Sequence, residues 1–296
     1  MLFTCPVCGK GLERLERVWR CQNGHSYDIA RSGYVNLLSQ NGRHSKSHGD
    51  NQLMVAARRR FLDKGYYRPL SEAVCEEIVT ALSGRSTPVV LDIGCGEGYY
   101  TFNLSSVLKK SGVRAELFGV DISKVALDKA ARRCREACFA VASAFHLPIS
   151  GESCDMVVNL FAPYCGQECH RVLAADGLML LVIPGTDHLW ELKQAVYEKP
   201  YKNIVKEYEL EGFHLLKQRE LSFVLRLDSQ EDIDSLFKMT PYYYKTSRQD
   251  QERLLRLTEL ETSAQFELLL YQKNSSAPQK NRLHKGGFDG GDNASQ

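Results

Sequence analysis

The chain has 296 residues, of which 43% are hydrophobic and 25% charged, a composition typical of a soluble globular protein with room for one large domain and a small one. No run approaches the roughly 20 apolar residues of a membrane-spanning helix, and the N-terminus lacks the features of a secretory signal. We therefore expect a cytoplasmic protein that is not embedded in a membrane.

The first 37 residues contain two closely spaced pairs of metal-binding side chains. Cys5 and Cys8 form a C-x2-C pair, and Cys21 and His25 form a C-x3-H pair. Four protein ligands close a tetrahedral zinc site and leave no position for a catalytic water, so the predicted zinc is structural. So short a segment needs a metal to fold. The alternative is a redox C-x-x-C motif, which would require a βαβ context that this segment lacks.

The rest of the chain divides by composition into three parts. Residues 38–70 are predicted to form a basic linker, polar over 38–50, and a helical arm that begins at Asn51. Residues 71–273 are predicted to form the main domain. Residues 274–296 have almost no apolar content, and we expect them to be disordered because they cannot bury enough surface to offset the entropy of ordering.

Strand-like and helix-like runs alternate within the main domain. The strand-like runs are 88–94, 116–122, 138–143, 153–162 and 177–185. The helix-like runs between them are 99–110, 123–134 and 166–174. Two later strand-like runs, SFVLRLD and FELLLYQK, could extend the sheet. This alternation predicts an α/β fold with a mostly parallel, doubly wound sheet.

A glycine-rich loop follows the first of these strands. Its pattern is D-x-G-x-G-x-G, with Asp92, Gly94 and Gly96 at its start, and Asp121 ends the next strand. The glycines allow a sharp turn and close approach of a ligand, and a carboxylate at the position of Asp121 can accept hydrogen bonds from a ribose diol. An acid before the glycines disfavours a pyrophosphate, which needs amide donors and positive charge. It suits the ammonium and sulfonium of S-adenosylmethionine.

Several segments together resemble the RlmA family of 23S rRNA (guanine-N1)-methyltransferases. Besides the zinc-ligand pattern, they are DIARSGYVNLL (28–38), HGD (48–50), ARRRFLDKGYYRPL (57–70), LDIGCGEGYYT (91–101), DISKVA (121–126), HLWELK (188–193) and MTP (239–241). The resemblance implies a class I, Rossmann-like methyltransferase that uses S-adenosylmethionine, binds one structural zinc ion and acts on large-subunit rRNA. It also implies cofactor contacts by Tyr67, Gly96, Glu97 and His188, and it makes a homodimer plausible.

The target base is expected to be held after the fourth strand of the main domain, in the segment from Asn159 to Tyr164. These two residues are the candidate catalytic side chains, and the open alternatives are a polar strand end and a core aromatic. At the usual adenine-contact position the chain has Ser143 in place of the common acid.

Basic residues near the N-terminus give this part of the chain a positive charge. Residues 1–60 hold 10 Lys or Arg against 4 Asp or Glu, a net +6, and the remaining residues hold 28 against 32, a net −4. Three consecutive arginines (58–60), with Arg43 and Lys46, could bind RNA phosphates, although such a run is also common on a solvated helix face.

Two other functions fit parts of the pattern. A small-molecule methyltransferase would share the glycine loop and Asp121, but it would need neither the zinc module nor the basic arm. A non-catalytic zinc-ribbon RNA-binding protein on an inactive methyltransferase fold would not need an intact glycine loop. The sequence favours the rRNA methyltransferase, and it does not reveal which guanine is modified.

Overall fold

The computed structural model describes residues 2–38, 49–204 and 208–275. Most of the predicted linker, including Arg43 and Lys46, and the predicted disordered tail from residue 276 lie outside the described residues. The strands are β1 (Leu12–Arg14), β2 (Val18–Cys21), β3 (Ser26–Asp28), β4 (Val35–Asn36), β5 (Val89–Ile93), β6 (Glu116–Asp121), β7 (Cys138–Val141), β8 (Cys154–Leu160), β9 (Leu173–Pro184), β10 (Phe213–Leu227) and β11 (Leu260–Lys273). The helices are α1 (Gln52–Asp63), α2 (Arg68–Ala81), α3 (Tyr99–Lys110), α4 (Lys124–Arg133), α5 (Gly166–Val172), α6 (Trp190–Val196), α7 (Gln230–Lys238), α8 (Tyr242–Lys245) and α9 (Arg248–Leu254).

Eight strands form the main sheet, in the order β10-β11-β9-β8-β5-β6-β7-β4. The six strands from β9 to β4 run parallel, and β11 and β10 add antiparallel pairs at one edge. The predicted, mostly parallel α/β sheet is confirmed. The chain leaves β5 toward β6 on one side and later returns to β8 on the other side, which creates a topological switch point between β5 and β8.

Local sequence explains where the elements begin. β5 is an apolar run buried on both faces, as expected for a central parallel strand. The side chain of Ser123 accepts a hydrogen bond from the amide of Ala126 and caps α4. Asn51 caps α1 in the same way through the amide of Met54. β10 and β11 are longer than the two apolar runs that predicted them. The antiparallel pairing between the two strands continues into the more polar sequence that precedes each run.

The zinc module packs directly on the main sheet. The ring of Phe3 is fully buried and contacts Trp19 of the module and Phe118 of β6, with ring centroids 5.3 and 5.4 Å apart respectively. The amide of Thr4 donates to the carbonyl of Pro148, 2.8 Å away, and β4 pairs in parallel with β7. The module and this face of the sheet therefore share one hydrophobic core.

The opposite face of the sheet is covered by helices. Side chains from α1, α2, α3, α6 and α7 form a second core there, together with residues of β9, β10 and β11. Within the described parts of the chain, no helix has both the length and the apolar character needed to cross a membrane.

Candidate active site and zinc centre

Two pairs of ligands come together in the zinc module. The candidate ligand atoms of Cys5, Cys8, Cys21 and His25 all lie within 4.8 Å of one another. The Sγ atoms of Cys8 and Cys21 are 3.7 Å apart, and Nδ1 of His25 lies 3.5 Å from Sγ of Cys5 and 3.4 Å from Sγ of Cys21. Tetrahedral zinc, with Zn–S near 2.3 Å and Zn–N near 2.0 Å, sets ligand spacings of roughly 3.5–3.8 Å. The four side chains therefore fit the metal that the sequence predicts.

The hydroxyl of Tyr27 supports this ligand set from outside. It lies 3.1 Å from Sγ of Cys5. Burial raises the pKa of the Cys5 thiol, but hydrogen bonds from Tyr27 and from the backbone amides of Val7 and Cys8 outweigh it and lower the pKa to about 6. A thiolate, the form that binds zinc, is therefore favoured at neutral pH.

A cavity of about 490 Å³ opens at the carboxyl ends of β5, β6, β7, β8 and β9, at the switch point of the sheet. Its wall contains every cofactor-contact residue that the sequence predicted: Tyr67, Asp92, Gly94, Gly96, Glu97, Asp121 and His188. Ser143 also lies in the wall, where its hydroxyl accepts the amide N–H of Phe145 at 3.2 Å. The fold thus gathers the predicted cofactor residues, of which Tyr67 and His188 are 121 positions apart in the chain.

The glycine loop forms the floor of the cavity. Gly94 has φ +76°, and a Cβ atom at this position would lie 2.2 Å from Cβ of Ala162. Gly98, the N-cap residue of α3, has φ +82°, and a Cβ atom there would lie 2.8 Å from Cα of Ala130. Only glycine fits both positions without a shift of the neighbouring chain, so the close packing of the loop against Ala162 and Ala130 requires glycine at each.

Four carboxylates, those of Asp50, Asp92, Glu97 and Asp121, line the cavity wall, and the last three lie in or beside the glycine loop. Burial raises the pKa of Asp92 to about 7, although the hydroxyl of Thr101 donates a hydrogen bond to it at 2.6 Å. Asp121 accepts the backbone amides of Gly96 and Ser123 at 2.9 and 2.7 Å. These bonds fix its orientation and leave lone pairs for a ligand, since a carboxylate has about four acceptor sites.

Glu97 is the least satisfied of the three carboxylates at the glycine loop. Its side chain is 1% exposed, and neither oxygen has a hydrogen-bond partner of good geometry among the described residues. The guanidinium of Arg133 lies 3.0 Å from one oxygen as an ion pair. Burial raises the pKa of Glu97. A cationic ligand group would compensate for this buried charge, so the acid-rich floor fits the ammonium and sulfonium of S-adenosylmethionine.

His188 faces Tyr67 in the upper part of the cavity. Nδ1 of His188 accepts the backbone amide of Gln265 at 3.3 Å, and Nε2 lies 3.5 Å from the Tyr67 hydroxyl. Burial, with a smaller effect of the positive charge on Lys193, lowers the pKa of His188 to about 3. The imidazole is therefore neutral at physiological pH, and its remaining proton is on Nε2.

Aromatic side chains that the sequence did not single out form the far end of the cavity. Phe161 follows β8 with φ +61°, a conformation rare for a residue with a side chain, and its ring centroid lies 5.5 Å from that of Phe266. Tyr242 lies in the same wall. The only local signals were that Phe161 belongs to the predicted base-holding segment and that Tyr242 follows the MTP segment.

The two candidate catalytic residues are not in the cavity wall. Asn159 is fully buried in β8, where its side-chain amide donates to the carbonyl of Ile93 at 3.0 Å. It therefore holds the end of β5, immediately before the glycine loop. Tyr164 packs against the core shared with the zinc module, and burial raises its pKa to about 12. In this structure, direct contact of either side chain with a base in the cavity is not supported.

The parallel sheet, the glycine loop at its switch point and the acid-lined cavity define a class I methyltransferase that carries a zinc module. Comparison with known families agrees. The family described as "RlmA, N-terminal", a zinc ribbon, matches residues 3–46, and the "Methyltransferase domain" family matches residues 90–177.

The chain belongs to the family of 23S rRNA (guanine-N1)-methyltransferases. It is 35% identical to the 23S rRNA (guanine(748)-N(1))-methyltransferase of Streptomyces fradiae, over 86% of this chain and 89% of that protein. It is 39% identical to a Micromonospora griseorubida protein over 64% of this chain and 68% of that protein, and 29% identical to Bacillus subtilis YxjB over 92% and 97%. The names of the Micromonospora griseorubida and Bacillus subtilis proteins describe each as a "putative 23S rRNA (guanine-N(1)-)-methyltransferase". The predicted cofactors, S-adenosylmethionine and one structural zinc ion, are confirmed.

Proposed function

We propose that this chain transfers the methyl group of S-adenosylmethionine to N1 of a guanine in 23S rRNA. The observation that carries the proposal is the composition of the cavity wall, which combines the acid-rich glycine loop with the aromatic rings of Phe161, Tyr242 and Phe266. The floor suits a cationic nucleoside cofactor, and flat aromatic side chains suit a nucleobase. The names of the relatives supply the position on the base and the RNA.

The cofactor half of the cavity would be held by the predicted residues. Asp121 is the acceptor for the ribose diol, and Asp92 and Glu97 supply negative charge near the ammonium and sulfonium. Gly94 and Gly96 keep the floor free of side chains. Tyr67 and His188 close the cavity on the side toward the aromatic end. When bound, the cofactor supplies an electrophilic methyl group.

The base half of the cavity would act by positioning. The carboxylates of the described cavity wall are Asp50, Asp92, Glu97 and Asp121, and these surround the glycine loop rather than the aromatic end. We propose that Phe161, Tyr242 and Phe266 hold the guanine ring in line for attack, where orientation alone lowers the barrier substantially. The neutral Nε2–H of His188 is available to a carbonyl oxygen that gains negative charge as N1 loses its proton.

The RNA must present its target base outside a paired stem. N1 of guanine is buried inside a Watson–Crick pair, so an unpaired or extruded base has to enter the cavity. We propose that the basic zinc module contacts the RNA around it. The module has five Lys or Arg within residues 2–38: Lys10, Arg14, Arg17, Arg20 and Arg31.

Methyl transfer to naked 23S rRNA tests the proposal. With S-adenosylmethionine labelled in its methyl group, we expect label in the RNA and a reverse-transcription stop at one guanine, because methylation of N1 removes a pairing donor. The position named for the Streptomyces fradiae relative, guanine 748, is the first to inspect. Asp121→Ala is the matched inactive control. Cofactor binding without transfer of label to rRNA would instead favour a small-molecule methyltransferase.

Two further properties stay predictions. We propose a homodimer, on the family resemblance, and a cytoplasmic location, where the rRNA substrate would be assembled. Light scattering of the purified chain tests the first, and fractionation of cells that express it tests the second.

A further inference from the structure

Arg58 stands apart from its two neighbouring arginines. It is the only Lys or Arg in the cavity wall among the described residues. Arg59 and Arg60 lie outside the cavity, where they pair with Asp63 and Glu231 and have side chains about half exposed. The fold thus separates one arginine of the RRR run from the other two, and the phosphate-binding role considered for the run does not account for it.

The guanidinium of Arg58 is held directly above the glycine loop. It forms an ion pair with Asp50, and Nη2 donates to the carbonyl of Met239 at 3.3 Å. Nη1 lies 3.7 Å from the position that a Cβ atom of Gly96 would occupy. Asp50 is itself fixed, since its carbonyl accepts the hydroxyl of Ser123 at 2.7 Å. These contacts attach α1 to the cofactor end of the cavity and orient the guanidinium.

Charge balance calls for a cation at this position. Of the charged groups of S-adenosylmethionine, the ammonium and sulfonium match the carboxylates of the floor, and the carboxylate has no counterpart there. A guanidinium has five N–H donors, so the contacts with Asp50 and Met239 leave donors free. Its planar fork also matches a carboxylate in a bidentate arrangement.

We propose that Arg58 binds the carboxylate of the methionine part of S-adenosylmethionine and that Asp50 positions it for this contact. The inference rests on the cofactor assigned under the proposed function. It adds a binding residue from the helical arm, outside the domain that carries the glycine loop. The arm would thereby distinguish the intact amino-acid cofactor from nucleosides that lack the carboxylate.

Two ligands that differ only in this carboxylate provide the test. Decarboxylated S-adenosylmethionine keeps the adenosine, the sulfonium and the ammonium. Calorimetry on the full chain should give the wild type a clear preference for S-adenosylmethionine, about ten- to a hundred-fold, the range of one charge-assisted contact. In Arg58→Ala we expect this preference to fall to within about three-fold, with the decarboxylated ligand still bound.

Matched variants make the outcome specific. Arg59→Ala lies one residue away on the same helix and should keep the wild-type preference, and Arg58→Lys should keep part of it. A wild-type preference in Arg58→Ala would overturn the proposal. Loss of both ligands to the same extent would also overturn it, because Arg58 would then only hold the arm in place. The assay contains no RNA, so its outcome is independent of whether rRNA is the substrate.

Discussion

Gly94 must be glycine for two separate reasons, its backbone conformation and the lack of space for a side chain. Its backbone is left-handed, and the space where a Cβ would lie is occupied by Ala162 of the loop after β8. The first requirement comes from the turn itself, and the second comes from another strand of the sheet. A substitution at Gly94 should therefore cost more than backbone strain alone.

Gly112→Ala provides the matched control for Gly94→Ala. Gly112 has nearly the same backbone angle, φ +74°, but nothing lies within 4 Å of its missing Cβ. We expect Gly112→Ala to lower the free energy of unfolding by about 1–2 kcal/mol, the cost of a left-handed residue with a side chain. Gly94→Ala should cost more and also weaken cofactor binding, as measured by urea unfolding and calorimetry. Equal losses of stability in the two variants would contradict a clash with Ala162.

Asp92 and His188 should affect stability with opposite dependence on pH. The pKa of Asp92 is raised to about 7 from an ordinary value of 3.8, so the folded state keeps a proton that the unfolded state loses, and stability falls as pH rises between these values. The pKa of His188 is lowered to about 3 from 6.5, so the unfolded state gains a proton first, and stability rises with pH over that window.

The two effects partly cancel in the wild type between about pH 4 and 6.5, and single variants should separate them. In Asp92→Asn we expect the free energy of unfolding to increase more steeply with pH than in the wild type. In His188→Asn it should increase less steeply or decrease. Urea unfolding of the cofactor-free protein at several pH values measures the slopes, and identical slopes in all three proteins would show that neither group titrates in this way.

Among the elements, the three short strands of the zinc module depend most on their surroundings. β1, β2 and β3 have three or four residues each, too few for an independent sheet. Of the zinc ligands, Cys21 ends β2 and His25 directly precedes β3, and the ring of Phe3 attaches the module to Phe118 of β6. The sequence by itself favours a module that unfolds alone when zinc is lost, whereas the shared core favours a wider effect.

Cys21→Ser tests how far the loss of zinc spreads. Because the zinc ligands keep Phe3 and Trp19 in the shared core, we expect one cooperative transition with a melting temperature lowered by about 10 °C, the shift for a loss of a few kcal/mol in a chain of this size. Cys165→Ser, a half-buried cysteine outside the zinc site, should change it by less than about 2 °C. A separate early transition seen only in tryptophan fluorescence would indicate that the module unfolds by itself.

For the whole molecule, the cavity is a product of distant segments. Its wall extends in sequence from Gly49, before α1, to Phe266 in β11. The parallel strands supply the floor, and the arm containing α1 supplies the cation. The aromatic end combines Phe161 after β8, Tyr242 of α8 and Phe266 of β11. Completion of the site therefore requires the arm and the late strands to pack on the same side of the sheet.

The sequence by itself determined the zinc ligands, the alternating elements, the glycine loop and the acid that ends β6. These signals are local: ligand pairs, capping residues and glycines act within a few positions, where residue type dictates backbone or metal geometry. Carried over from the family resemblance, Tyr67 and His188 also lie in the cavity wall.

Only the tertiary structure decided which side chains face the cavity. Asn159 looked like a site residue but is buried beneath the glycine loop, whereas Arg58, Phe161 and Phe266 line the wall. The same long-range packing joined the zinc module to the sheet through Phe3. Such contacts depend on strand order and on the side of the sheet to which each connection returns, and local patterns do not encode either.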